Sequence, residues 1–96
     1  SRIALARLAA EAPPRAALEH ALAADPDDHR ARHLLGVRLV LEGAPEAGLE
    51  HLLELLRRAR GYADGLPRRA LVDAFNVVED EDLVRAVRRR MTALLF

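Results

Sequence analysis

Aliphatic residues recur three and four positions apart along almost the whole chain, and proline, glycine or aspartate breaks the pattern at short intervals. Leu34, Leu35, Val37, Leu39 and Leu41 form one run, and Leu49, Leu52, Leu53, Leu55 and Leu56 form another. Such spacing gives a helix one broad apolar face. Strand signals are nearly absent. Val77-Val78 is the only adjacent β-branched pair, no alternating run surrounds it, and the aromatics are limited to Tyr62, Phe75 and Phe96. The expected fold class is all-α.

The punctuation divides the chain into about six antiparallel helices. The first is expected from about Arg2 to Glu11, stopping before Pro13-Pro14 because proline disfavours the α conformation in the residue preceding it. The second starts at Pro14, where a missing N–H costs nothing, and runs to about Ala24. Asp25-Pro26-Asp27-Asp28 makes a turn whose aspartates can cap a third helix, which ends near Glu42 with Gly43 supplying a permissive backbone. Pro45 opens a fourth helix to about Arg58. After a looser stretch over residues 59–66, Pro67 opens a fifth through Val78, and Glu79-Asp80-Glu81-Asp82 leads into a sixth that reaches the C-terminus. Connections this short predict that successive helices pack as antiparallel hairpins.

Composition narrows the function classes. The chain is 51% hydrophobic and 31% charged, too apolar for disorder and too charged for a membrane-embedded fold. No apolar run approaches the roughly 20 residues of a bilayer span, and the N-terminal residues lack an uninterrupted signal-peptide core. A cytoplasmic protein is the expectation. Fifteen basic residues balance fifteen acidic ones, so net charge favours neither nucleic acid nor an anionic membrane. With no cysteine there are no disulfides, thiolate nucleophiles or cysteine metal ligands. The chain begins with Ser1 rather than Met, which suggests a part of a longer protein.

Internal repetition then fixes a register. Leu18 is followed by Ala21 and, five residues on, by Pro26; ten residues further stands Gly36, directly after Leu35; twelve beyond that stands Gly48, followed by Leu52 and Leu55. Small residues at these points, with large apolar ones beside them and a proline at the end, resemble the tetratricopeptide repeat, a helical hairpin of roughly 34 residues. Pro14 stands at the first small position, Arg32 replaces the usual bulky residue, and Arg60 stands where a second proline would be. The resemblance implies a short, degenerate tetratricopeptide-like array.

The C-terminal stretch Leu83-Val84-Arg85-Ala86-Val87-Arg88-Arg89-Arg90-Met91-Thr92-Ala93-Leu94-Leu95-Phe96 is similar to the ending of the thioredoxin-like co-chaperones, or chaperedoxins. Asp25-Pro26-Asp27-Asp28, Leu52-Leu53-Glu54-Leu55 and Arg69-Ala70-Leu71-Val72-Asp73-Ala74-Phe75 resemble that family in order upstream. Val87 stands in place of a tyrosine, Asp82 of a proline and Glu79 of a glycine. The resemblance implies that residues 1–96 are the tetratricopeptide-like C-terminal part of a longer chain whose N-terminal thioredoxin-like domain would hold any redox motif. It further implies binding of unfolded clients and, as in some members, docking on a chaperonin through the C-terminal helix. A generic tetratricopeptide scaffold for another complex is the alternative. Tetratricopeptide domains that clamp a partner's C-terminal carboxylate commonly use lysine and asparagine, and this chain has no lysine and only Asn76.

Enzymatic chemistry finds little footing. Ser1, Thr92 and Tyr62 are the only hydroxyls, which leaves no serine triad, and no glycine-rich phosphate loop occurs. His29 and His33 stand one helical turn apart, but no third metal ligand is near in sequence, and solvent-facing histidines are the expectation. The acidic run at 79–82 lacks calcium-loop spacing and reads as a helix cap. No cofactor or metal is expected. The last helix carries a stripe of Leu83, Val84, Val87, Met91, Leu94 and Leu95, with arginines over much of the remaining surface. Arg85, Arg88, Arg89, Leu94, Leu95 and Phe96 are therefore the candidate partner-binding residues, the partner being protein.

Overall fold

The computed structural model describes residues 2–96, and its elements are six helices: α1 (Arg2–Glu11), α2 (Arg15–Ala24), α3 (His29–Leu41), α4 (Pro45–Arg58), α5 (Leu66–Phe75) and α6 (Glu81–Leu95). Local chemistry sets most ends. Asp28 caps α3 by accepting a hydrogen bond from the Ala31 N–H at 3.0 Å, and Asp80 caps α6 by accepting from the Leu83 N–H at 3.1 Å. Gly43 adopts φ +89° behind α3, and Pro45 and Pro67 sit in the first turns of α4 and α5. The α5 helix stops at Phe75 rather than Val78. Val77 and Val78 both donate their N–H groups to the Ala74 carbonyl at 3.0 Å, so the chain closes into a tight turn instead of propagating.

The centre of the fold is the α3–α4 hairpin. A Cβ added to Gly48 would stand 2.6 Å from the Gly36 carbonyl oxygen and 2.8 Å from the Val40 nitrogen; one added to Gly36 would stand 2.8 Å from Leu52 Cδ2 and 3.1 Å from the Gly48 oxygen. Only hydrogen at Cα lets the backbones approach this far. Gly36 faces both Gly48 and Leu52 while Val40 faces Gly48, so the two helices run antiparallel. The close contact lies where the repeat register predicts it.

The other helices assemble around this pair. The α2 helix packs on α3, where Leu18 joins Ala31, Leu34, Leu35 and Leu39 in one cluster. On the opposite side α5 and α6 both pack on α4, and Leu49, Leu52, Leu53 and Leu56 meet Leu71, Phe75, Val87 and Met91. The α1 helix lies against α3 and α5, because Pro13 and Pro14, with φ −56° and ψ 151° at Pro14, carry the chain onward in an extended step rather than a tight turn. Arg38 of α3 fastens that end: its Nη2 donates to the carbonyls of Ala9, Ala12 and Pro13 at 3.0, 3.2 and 3.1 Å. The Ala9 carbonyl, in the last turn of α1, also accepts from the Ala12 N–H at 3.3 Å, and the other two belong to the connection that follows the helix. Among the described residues, no polar or charged side chain is fully buried. No described helix is long and apolar enough to cross a membrane.

Candidate partner-binding surfaces

The six candidate residues all lie on α6 or directly after it, but the structure separates them. Leu94 and Leu95 are half-buried and pack against the main core cluster, whereas Phe96 is fully exposed. The Leu94 carbonyl, one of those left over at the helix end, accepts a hydrogen bond from Arg60. Arg85, Arg88 and Arg89 are exposed on the outer face. Arg85 pairs with Asp82 one turn earlier. The Arg88 guanidinium lies over the Phe75 ring, 4.9 Å from its centroid, a cation–π contact that holds the side chain without neutralising it. No carboxylate lies within ion-pair distance of Arg88 or Arg89 among the described residues.

A second concave surface lies between α4 and α6 and has a volume of about 540 Å³. Its apolar lining comes from Leu53, Ala93 and Leu94, and its charged walls from Arg32, Glu50, Glu54, Arg57 and Arg90, with His51 beside Arg32. Glu50 accepts two hydrogen bonds from Arg90, which bridge α4 to α6 and hold its carboxyl below the usual range. Glu54 accepts from Arg57 and Arg58, and these bonds, that of Arg57 foremost, hold it down at about 2. Arg58 also reaches Asp27 at 2.9 Å.

Arg32 is arranged differently. Its Nη2 donates to the Pro26 carbonyl at 3.0 Å, its Nη1 is 3.5 Å from His51 Nδ1, and its Nε is buried without a hydrogen-bond partner. Desolvation, and then the neighbouring Arg58, push its pKa down. His51 is also pushed down, by burial first and by Arg32 second. Arg32 departs from the repeat pattern in sequence, but its place opposite His51, nineteen residues away, follows only from the packing of α3 on α4.

The α3 histidines depart from the solvent-facing expectation. His29 is half-buried against Tyr62, with ring centroids 5.4 Å apart, and His33 is half-buried with its pKa lowered by desolvation. Tyr62, in the turn after α4, lies against His29, and α1 packs on α3. Among the described residues no three His, Asp or Glu side chains converge as a metal site requires. Ser1 lies outside the described residues, and the Thr92 hydroxyl donates to the Arg88 carbonyl one turn back.

The family described as tetratricopeptide repeat matches the chain over residues 8–96. No curated protein and no solved structure matches the chain.

Proposed function

Since the chain belongs to the tetratricopeptide repeat family, we propose that it is a protein-binding domain, the C-terminal part of a thioredoxin-like co-chaperone that holds unfolded clients and docks on a chaperonin. In this reading the domain is non-enzymatic, uses no cofactor, binds neither nucleic acid nor membrane, and works in the cytoplasm. Any redox chemistry belongs to the N-terminal thioredoxin-like domain, because these 96 residues contain no cysteine.

One observation carries the proposal: α6 ends in a fully exposed Phe96 and presents Arg88 and Arg89 without carboxylate partners. An exposed aromatic about two helical turns along from unneutralised guanidiniums suits a partner with an acidic rim around an apolar pocket. Arginine and aromatic residues are also the types that most often dominate binding energy at interfaces. Leu94 and Leu95 serve the same site from behind, by fixing the end of α6 against the core.

The test uses the full-length parent carrying Arg88→Glu, Arg89→Glu and Phe96→Ser. The expected result is loss of chaperonin and client association with the fold retained and only a small drop in melting temperature, since Arg88 gives up its cation–π contact with Phe75 while Arg89 and Phe96 are exposed. Retained association with intact folding would sink the docking idea. The family match also supports a scaffold that joins subunits of some other complex. That reading is favoured if the variant sheds a stable partner but the wild type captures neither chaperonin nor unfolded protein.

A further inference from the structure

The α4–α6 groove carries a charge imbalance that its own residues do not resolve. Around its Arg32 wall, three guanidiniums, those of Arg32, Arg57 and Arg58, face two carboxylates, those of Asp27 and Glu54. Both carboxylates are already taken: Glu54 by Arg57 and Arg58 at 2.5 Å each, and Asp27 by Arg58 at 2.9 Å. Further along, Glu50 is held by Arg90. Arg32 is the one groove cation among the described residues without a carboxylate, and it sits in a part-buried position where water screens it less. Its weakest contact is the 3.5 Å approach to His51, and a carboxylate would replace that contact readily. The same groove has an aliphatic lining of Leu53, Ala93 and Leu94.

We propose that this groove is a second docking site, which takes a partner polypeptide segment that sets a side-chain carboxylate against Arg32 and an aliphatic side chain on Leu53, Ala93 and Leu94. The occupant is acidic because the groove is one negative charge short. It is apolar beside that charge because the uncharged part of the lining, Leu53, Ala93 and Leu94, is aliphatic. Arg85, Arg88 and Arg89 do not line this groove, although Leu94 belongs to both surfaces.

The experiment titrates the 96-residue chain into a fluorescein-labelled alanine-based peptide, acetylated and amidated, that carries two leucines and one glutamate a helical turn apart. A second peptide has glutamine in place of the glutamate. A charge-assisted hydrogen bond is worth about 1.5 to 3 kcal/mol, so the glutamate peptide is expected to bind roughly tenfold tighter or more, a preference that salt weakens. Arg32→Glu is expected to abolish the preference and to favour a lysine counterpart. The melting curve of the variant is recorded, and amide shift mapping on the wild type gives a reading independent of it: shifts are expected at Arg32, His51, Leu53 and Leu94. Equal binding of the two peptides, or shifts confined to Arg85, Arg88 and Arg89, would overturn the proposal. So would binding that appears only when the peptide has a free C-terminal carboxylate. Chains carrying Arg88→Glu and Arg89→Glu are expected to keep the glutamate preference, so failure at the α6 face and failure at this groove are told apart.

Discussion

The α3–α4 hairpin and the helices at the rim are held by different means. In the hairpin the backbones themselves meet, with Gly36 and Gly48 leaving no space for a Cβ and Leu49, Leu52 and Leu55 fully shielded around them. At the rim, α1 is held by buried Leu5, by Leu8 and by one arginine reaching three carbonyls at and just beyond its end, and α6 by a stripe of side chains with guanidiniums along its outer face. Backbone proximity tolerates no enlargement. Side-chain attachment can be loosened piece by piece, and it leaves the rim free to carry charge and exposed apolar surface for partners.

The sharpest way to break this contrast is at Gly48, where an added Cβ meets backbone atoms that cannot move aside. Gly48→Leu is expected to destabilise by about 3 kcal/mol, the upper end of the range for over-packing, measured by denaturant unfolding. Gly36→Ala is expected to cost less, because Leu52 can rotate away from part of the clash. If Gly36→Ala instead stabilises by about 1 kcal/mol, as helix propensity alone would have it, the backbone contact is not what the hairpin rests on.

Arg38→Ala tests the rim, and the expected loss is about 2 kcal/mol, since hydrogen bonds from a charged donor are the stronger kind. Hydrogen exchange is expected to show α1 losing protection while α3 and α4 keep theirs. Uniform loss across all helices would mean that α1 belongs to the central unit. A smaller effect is expected at the other end. Replacing half-buried Leu95 with serine is expected to cost about 1 kcal/mol, part of what full burial of a leucine contributes, whereas Phe96→Ser is expected to leave the melting temperature unchanged. Equal losses at the two positions would place Phe96 in the core.

The pH profile is the mildest perturbation, and its groups belong to the α3–α4 hairpin, with Glu50 tied to the rim through Arg90. His33 and His51, on α3 and α4, are held below the ordinary 6.5 by burial. The unfolded chain therefore takes up protons first, and stability, full above about 6.5, declines on acidification from there down to the folded-state values. Glu50 and Glu54, the latter at about 2, act further into acid: their contribution is present above the ordinary 4.5 and is lost as the pH falls towards about 2. A melting temperature flat between pH 7 and 5 would contradict the first arm, and His33→Gln is expected to flatten part of it.

Much of the helical framework was legible without coordinates, and the reason is local. The bounds of α1 and α4 follow from proline and its neighbours, the caps of α3 and α6 from Asp28 and Asp80, and the α3–α4 approach from two glycines in a repeat register. Each depends on residues a few positions apart, or on a spacing that the chain itself carries. The end of α5 escaped because helix and turn compete there for the same Ala74 carbonyl, and the composition of 76–78 favours neither strongly. The separation of Leu94 and Leu95 from Phe96 required knowing how far α6 runs over α4, since an apolar stripe does not say where its cover stops. The groove was settled by the tertiary structure alone. Arg32, His51 and Leu94 stand on three different helices, and whether a guanidinium finds a carboxylate depends on which side chains packing brings within a few ångströms, a property of the assembled helices that no stretch of the chain carries in itself.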